Sequence, residues 1–227
     1  MLSHKIFKPK PMRVGIIAEG TEDQSVIKNI LRAFDIDGYS IRPSLSVDES
    51  RKHLANQSTI GTFQGVKNAC IQRDDFERAL NILGDDFLVI HLDTAEIDQH
   101  DFPFIRPNKT DTDYCVQLRQ KVIEQINAWL DNNYQAQLVY AICIEEIEAW
   151  ILTLYLQQDT TEIVDVKKKL WQILSTKNIT SKGCSSNADF YEKKVSCDFR
   201  KKKILQKCLS HNQSLLAFVE SVKVKLN

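Results

Sequence analysis

No stretch of this sequence is apolar enough to cross a membrane. The longest apolar runs, Val14–Ala18 and Phe87–Leu92, are far shorter than the roughly 20 residues a bilayer requires. The opening MLSHKIFKPKPMR has no apolar signal core, so a cytoplasmic protein is the expectation. Cysteine pairs are missing too. The six cysteines (Cys70, Cys115, Cys143, Cys184, Cys197, Cys208) include no C-x-x-C, and a chain of 227 residues does not depend on disulfides, so reduced thiols are expected. The lack of a G-x-x-x-x-G-K loop excludes a P-loop ATPase, and there is no internal repeat or low-complexity tract. Net charge is absent as well: thirty Lys/Arg balance thirty Asp/Glu, so the whole molecule exerts no long-range pull on nucleic acid.

What is present is the composition of a globular protein, 43% hydrophobic and 26% charged, which excludes disorder and fibrous architecture for the whole chain. The zero net charge hides an asymmetry. From Thr160 onward fourteen Lys/Arg face six Asp/Glu, leaving an acidic front part and a basic tail. A polyanionic partner for that tail is one expectation; a Lys-rich helix face that is merely solvated is the other.

The periodicity predicts an alternation of strands and helices. RVGIIA (Arg13–Ala18) reads as a strand, followed after Glu19-Gly20-Thr21 by a helix from Glu22 to about Phe34. A weaker strand is expected at Tyr39–Leu45, then helices at Asp48–Gln57 and Gln64–Leu83, the latter closed by Gly84. DFLVIHL (Asp86–Leu92) has the nearly continuous apolar pattern of a strand buried on both faces of a parallel sheet. Thr94–Thr112, with Pro103 and Pro107, is a long loop, and loops of that length usually serve a site. A helix follows at about Asp113–Asn132, then a last strand QLVYAICI (Gln137–Ile144) running directly into the helix EEIEAWILTLYL. After that only helical patterns remain, at Ile163–Leu174, Phe199–Leu209 and Leu215–Leu226. The expected architecture is therefore α/β: a mostly parallel four-stranded sheet with helices on both faces over residues 1–157, and a basic helical C-terminal extension over 158–227.

In open parallel sheets the working site lies at the carboxyl ends of the strands, and here those ends carry acids. The first strand ends in Glu19, the third in Asp93 and the fourth in Glu145 and Glu146. Glu148 stands three residues after Glu145, on the same helical face, while Glu22 and Asp23 can aim back toward Glu19 from the next helix. Carboxylates converging without adjacent basic residues repel one another and call for a counter-charge. Hard oxygen donors suit Mg2+ or Mn2+, ions that substrate phosphate completes. The bland alternative is that each acid serves only a helix N-terminus or a loop.

IIAEGTED (Ile16–Asp23) and VIHLDTAE (Val89–Glu96) together resemble the signature of a TOPRIM domain, the catalytic module of topoisomerases, primases and OLD-family nucleases. That signature is a strand ending in Glu-Gly and a later one ending in Asp-x-Asp. IEEIEAWIL (Ile144–Leu152) further resembles small stand-alone TOPRIM-like proteins of bacterial antiphage defence that are encoded beside an ATPase. The resemblance covers roughly Arg13–Leu156 and departs at Ala95, where the second Asp belongs; Glu96 or Asp98 would have to substitute.

The resemblance implies a divalent-metal-dependent nuclease acting on RNA or DNA, the effector of a defence system, with an ATPase partner and homo-oligomerisation as further expectations. It implies Glu19 and Asp93 as catalytic residues, with Asp23 or Glu22, Glu96, Glu145 and Glu148 completing the Mg2+ (or Mn2+) sites. A lysine for the developing phosphorane charge would come from YEKK or FRKKK, with the role assigned to Lys194; Lys193, Arg200, Lys201, Lys202 and Lys203 would hold nucleic acid. The rival expectation is a catalytically degenerate TOPRIM-like subunit, disabled at Ala95, that regulates a partner ATPase. A phosphohydrolase of small nucleotides is a third.

Among the remaining features, Cys208-x2-His211 has the spacing of half a Cys3His zinc site, but Cys184 and Cys197 lack close partners, so the cysteines read as scattered thiols. His91 reads as a core histidine, and Trp129, Trp150 and Trp171 as inward-facing core residues.

Overall fold

Strand β1 (Arg13–Ile17) owes its burial to four successive apolar or small residues, and a tight turn leads from it into helix α1 (Thr21–Arg32). The computed structural model describes residues 12–41, 63–95, 97–100, 102–161 and 163–226. Strand β2 (Asp37–Ser40) follows α1. Helix α2 (Phe63–Gln72) and the short helix α3 (Asp74–Glu77), extended by a π-turn over Arg78–Ile82, precede strand β3 (Phe87–Asp93). Helix α4 (Tyr114–Trp129), strand β4 (Leu138–Cys143) and helix α5 (Glu148–Leu152) complete the alternation. The remainder is helical: α6 (Val166–Thr176), α7 (Asn187–Phe190) with a π-turn at Tyr191–Val195, α8 (Lys202–Cys208) and α9 (Gln213–Leu226). Among the described residues no helix is long and apolar enough to cross a membrane.

The fold is α/β as the pattern predicts: four strands, all parallel, in the order β2-β1-β3-β4. Because β1 lies between β2 and β3, the chain winds outward in both directions from the β1–β3 pair. That pair is the topological switch point, where the crevice for a ligand opens in sheets of this kind. Alternation along β3 sends Phe87 and Val89 to one face and Leu88, Ile90 and Leu92 to the other. The second face packs on α2, α3 and α4 through Val66, Phe76, Leu118 and Val122. The first packs on α1, and the same cluster runs on into Leu170, Leu174, Phe199, Leu205, Leu215 and Phe218 of the C-terminal segment. That segment thus shares a core with the sheet. Trp150 anchors the join: it is fully buried, stacks on Phe218 at 5.3 Å and donates its indole N–H to Ser214 Oγ at 2.8 Å.

Several elements differ from the pattern. The single helix expected over Gln64–Leu83 is broken at Arg73, which takes a left-handed φ of 65° and pairs with Asp131 at 2.9 Å. The last strand does not run straight into a helix. Glu145 sits at φ 64° and the helix begins only at Glu148. Trp171 is 51% exposed rather than inward, because α6 buries Val166, Leu170 and Leu174 and leaves Trp171 beside that stripe, ring-stacked on Phe190. The second strand covers Asp37–Ser40. The helix expected at Asp48–Gln57 lies outside the described residues, as do positions 42–45 of the predicted strand.

Candidate functional site

The two acids at the switch point meet. Asp93 N–H donates to Glu19 Oε1 at 2.9 Å, so the side chain ending β1 is docked on the backbone ending β3. Gly20 opens the turn as the N-cap of α1. Its N–H donates to Asp23 Oδ2 at 2.8 Å, and a Cβ at this position would lie 2.9 Å from the same oxygen. Asp23 therefore caps α1 from its first turn and is held beside Glu19.

His91 completes the group from below. It stands two residues before Asp93 on β3, fully buried, with Nε2 3.2 Å from Asp93 Oδ1 and 3.3 Å from Cys143 Sγ, and Nδ1 3.8 Å from Asp23 Oδ2. The β3–β4 register sets Cys143 directly beside Asp93. Burial raises the Glu19 carboxyl to about 7, with repulsion from Asp93 and Asp23 adding to it. Burial also raises Asp93, to about 6, against the pull of His91. For His91 burial acts downward, yet Asp93, Asp23 and Glu19 together carry the imidazole up to about 9. Burial holds the Cys143 thiol well above its usual range. His91 is thus the basic side chain that faces these carboxylates.

The C-terminal segment supplies one wall. Tyr191, in the π-turn after α7, donates its hydroxyl to Glu148 Oε1 at 2.9 Å, while Glu148 Oε2 is buried with no hydrogen-bond partner among the described residues. Burial raises the Glu148 carboxyl, with Lys167 and Tyr191 opposing. Lys167 bonds Glu146 Oε1 at 2.6 Å, and its charge also acts on Glu148 and Asp93; these acids carry the ammonium to about 12 against burial.

Glu145 does not join this group. Its backbone is turned by Thr94, whose hydroxyl accepts from Glu145 N–H at 2.8 Å and whose own N–H donates to Glu145 O at 2.9 Å. Its carboxylate instead meets Lys109 at 2.6 Å and Arg106 at 3.8 Å. The shared helical face expected for Glu145 and Glu148 fails for that reason: Glu145 precedes the helix. Ala95 and Glu145 line a separate cavity of about 860 Å³ with Thr161, Asp165 and Gln213. Glu96 lies outside the described residues, and Asp98 pairs with Arg106 at 2.8 Å.

The basic residues of the tail are spread over its surface. Lys193 pairs with Asp189 and Lys201 with Asp198, both at 2.7 Å. Lys202 lies over the Phe34 ring, and Lys194 and Lys203 are exposed. Arg200 ties the segment to α1: it donates to Asn29 Oδ1 at 2.6 Å and to Glu192 O at 3.1 Å, and Asn29 in turn donates to Ser196 Oγ at 2.8 Å.

Sequence reasoning missed Cys143, Lys167 and Tyr191, and it took His91 for a satisfied core residue. The His91-x-Asp93 spacing alone placed both side chains on one face; the other three depend on strand register and on where the tail packs. No protein-family model, no curated protein and no solved structure matches this chain.

Proposed function

We propose that this chain is a divalent-metal-dependent nuclease, hydrolysing phosphodiester bonds of RNA or DNA at the β1–β3 crevice. The observation that carries the reading is the meeting of Glu19 and Asp93 at the switch point, both with raised carboxyl pKa values and with Asp23 alongside. Buried carboxylates that repel one another favour a cation between them. The donor set fits one: Asp93 Oδ1 and Glu148 Oε2 are buried oxygens with no hydrogen-bond partner among the described residues. Glu19, Asp93 and Asp23 would hold the ion, with Glu148 at its margin. A bound Mg2+ or Mn2+ supplies phosphoryl polarisation and water activation.

The chain's own groups divide the remaining work. Glu19, raised to about 7, holds or takes a proton near neutral pH. Lys167 is the ammonium whose charge reaches Asp93 and Glu148, which favours it over Lys194 as the cation beside the reacting phosphate. Lys203 and its neighbours would contact the polymer farther out. The likeness of IEEIEAWIL to stand-alone TOPRIM-like proteins extends the proposal to an antiphage effector working with an ATPase partner, in the cytoplasm, alone or as a homo-oligomer.

The test is cleavage of single- and double-stranded RNA and DNA with Mg2+ or Mn2+, comparing the wild type with Glu19→Gln and Asp93→Asn. Loss of cleavage in folded variants is expected; undiminished cleavage in both overturns the reading. A second reading, a degenerate regulatory subunit of an ATPase complex, is favoured by Ala95, which lines the other cavity where the family's second Asp would stand. It predicts full partner regulation by the same two variants.

A further inference from the structure

The sheet face beneath α1 holds two donors, His91 and Cys143, that the cleavage proposal does not use. His91 and Asp93 share that face of β3, and Cys143 is the β4 partner of Asp93. One ligand atom from each of the three lies within 4.8 Å of the others. Two of the separations are tight: His91 Nε2 is 3.2 Å from Asp93 Oδ1 and 3.3 Å from Cys143 Sγ. A tetrahedral zinc ion, with bonds of about 2.0–2.1 Å to N or O and about 2.3 Å to S, has ligand edges of roughly 3.3 Å (N to O) and roughly 3.6 Å (N to S). Both His91 edges lie within a few tenths of an ångström of these values, and the Asp93–Cys143 edge is no longer than 4.8 Å.

A second observation is independent of spacing. His91 is 0% exposed, and among the described residues neither its Nδ1 nor Asp93 Oδ1, both buried, has a hydrogen-bond partner. Buried polar atoms are nearly always paired, so two orphans in one cluster require a cause. A cation bound at Nε2 and Oδ1 removes the second. It also fixes the ring tautomer, with Nδ1–H toward Asp23 Oδ2; the 3.8 Å between them is an ion-pair distance, and closing it to a hydrogen bond would complete the carboxylate–histidine–metal arrangement that orients ligating imidazoles. Imidazole and thiolate donors select borderline metals rather than Mg2+.

We infer that His91 Nε2, Asp93 Oδ1 and the Cys143 sulfur form a site for a borderline divalent transition metal of the zinc class, with Asp23 orienting the imidazole. Binding converts the Cys143 thiol to a metal thiolate and releases its proton to solvent. Three protein ligands leave a fourth position for water or a substrate oxygen. The site shares Asp93 with the carboxylate set above, but it rests on nitrogen and sulfur donors and not on cleavage.

The experiment is a Co2+ titration of chelator-stripped full-length protein, read by absorption. The wild type should show tetrahedral d–d bands and a thiolate-to-cobalt charge-transfer band, both bleached by Zn2+. Cys143→Ala should lose the charge-transfer band, and Cys197→Ala should keep it. Asp23→Asn should weaken Co2+ binding about 10–100-fold, and His91→Gln at least as much. Should Cys143→Ala not fold, His91→Gln and the Cys197→Ala control decide. Failure to bind Co2+, binding with only an octahedral oxygen-ligand spectrum, unchanged affinity in His91→Gln, or a charge-transfer band that survives Cys143→Ala overturns the inference. Such a result leaves the nuclease proposal standing, because hard-metal cleavage needs only the carboxylates; a chain that shows the band but cuts nothing loses that proposal and keeps this one.

Discussion

Tyr191 and Glu148 stand forty-three positions apart in the chain and share a buried hydrogen bond of 2.9 Å, phenol to carboxylate. Through it the C-terminal segment closes over the acidic end of the sheet. Tyr191→Phe removes the donor and leaves Glu148 with neither oxygen paired. We expect a loss of about 1–3 kcal/mol in unfolding free energy, measured by urea denaturation at neutral pH. A loss below about 0.5 kcal/mol contradicts the bond.

Arg200 and Lys203 look equivalent in the run FRKKK, yet Arg200 is engaged with Asn29 and Glu192 while Lys203 is exposed. Arg200→Ala should therefore cost about 1–3 kcal/mol in chemical denaturation, whereas Lys203→Ala should stay within about 0.5 kcal/mol of the wild type. If nucleic acid is held by the tail, Lys203→Ala should lower affinity and reduce the salt slope by about 1. Equal stability of the two variants contradicts the assignment of Arg200 to the α1 joint.

The strand ends were legible because apolar runs stop abruptly at Glu19 and Asp93. The parallel sheet followed from the same alternation. The position of Glu145 was not legible, because its left-handed backbone is set by Thr94, fifty-one residues earlier in the chain. Nor was Lys167 distinguishable from the other lysines of a basic tail. Its contact with Glu146 depends on how α6 lands against the end of β4, and local periodicity is silent on that. Cys143 became part of the site through strand register, a long-range quantity as well.

His91 gives the molecule a pH dependence of definite sign. Its folded-state pKa of about 9 lies above the usual 6.5, so its stabilising contribution is complete below about pH 6.5 and is lost as pH rises through 9. Glu19, raised from 4.5 to about 7, acts in the same direction over the lower part of this window. The Tm of chelator-treated protein should fall between pH 6.5 and 9, and less so in His91→Gln. A Tm that rises over this interval contradicts the imidazolium as counter-charge.

Glu19 and Asp93 are proposed to hold a divalent cation together. Mn2+ soaked into crystals of the full chain tests this through anomalous scattering. A peak is expected within bonding distance of both carboxylates at the carboxyl ends of β1 and β3. No peak there, or one that touches Asp93 and not Glu19, contradicts it.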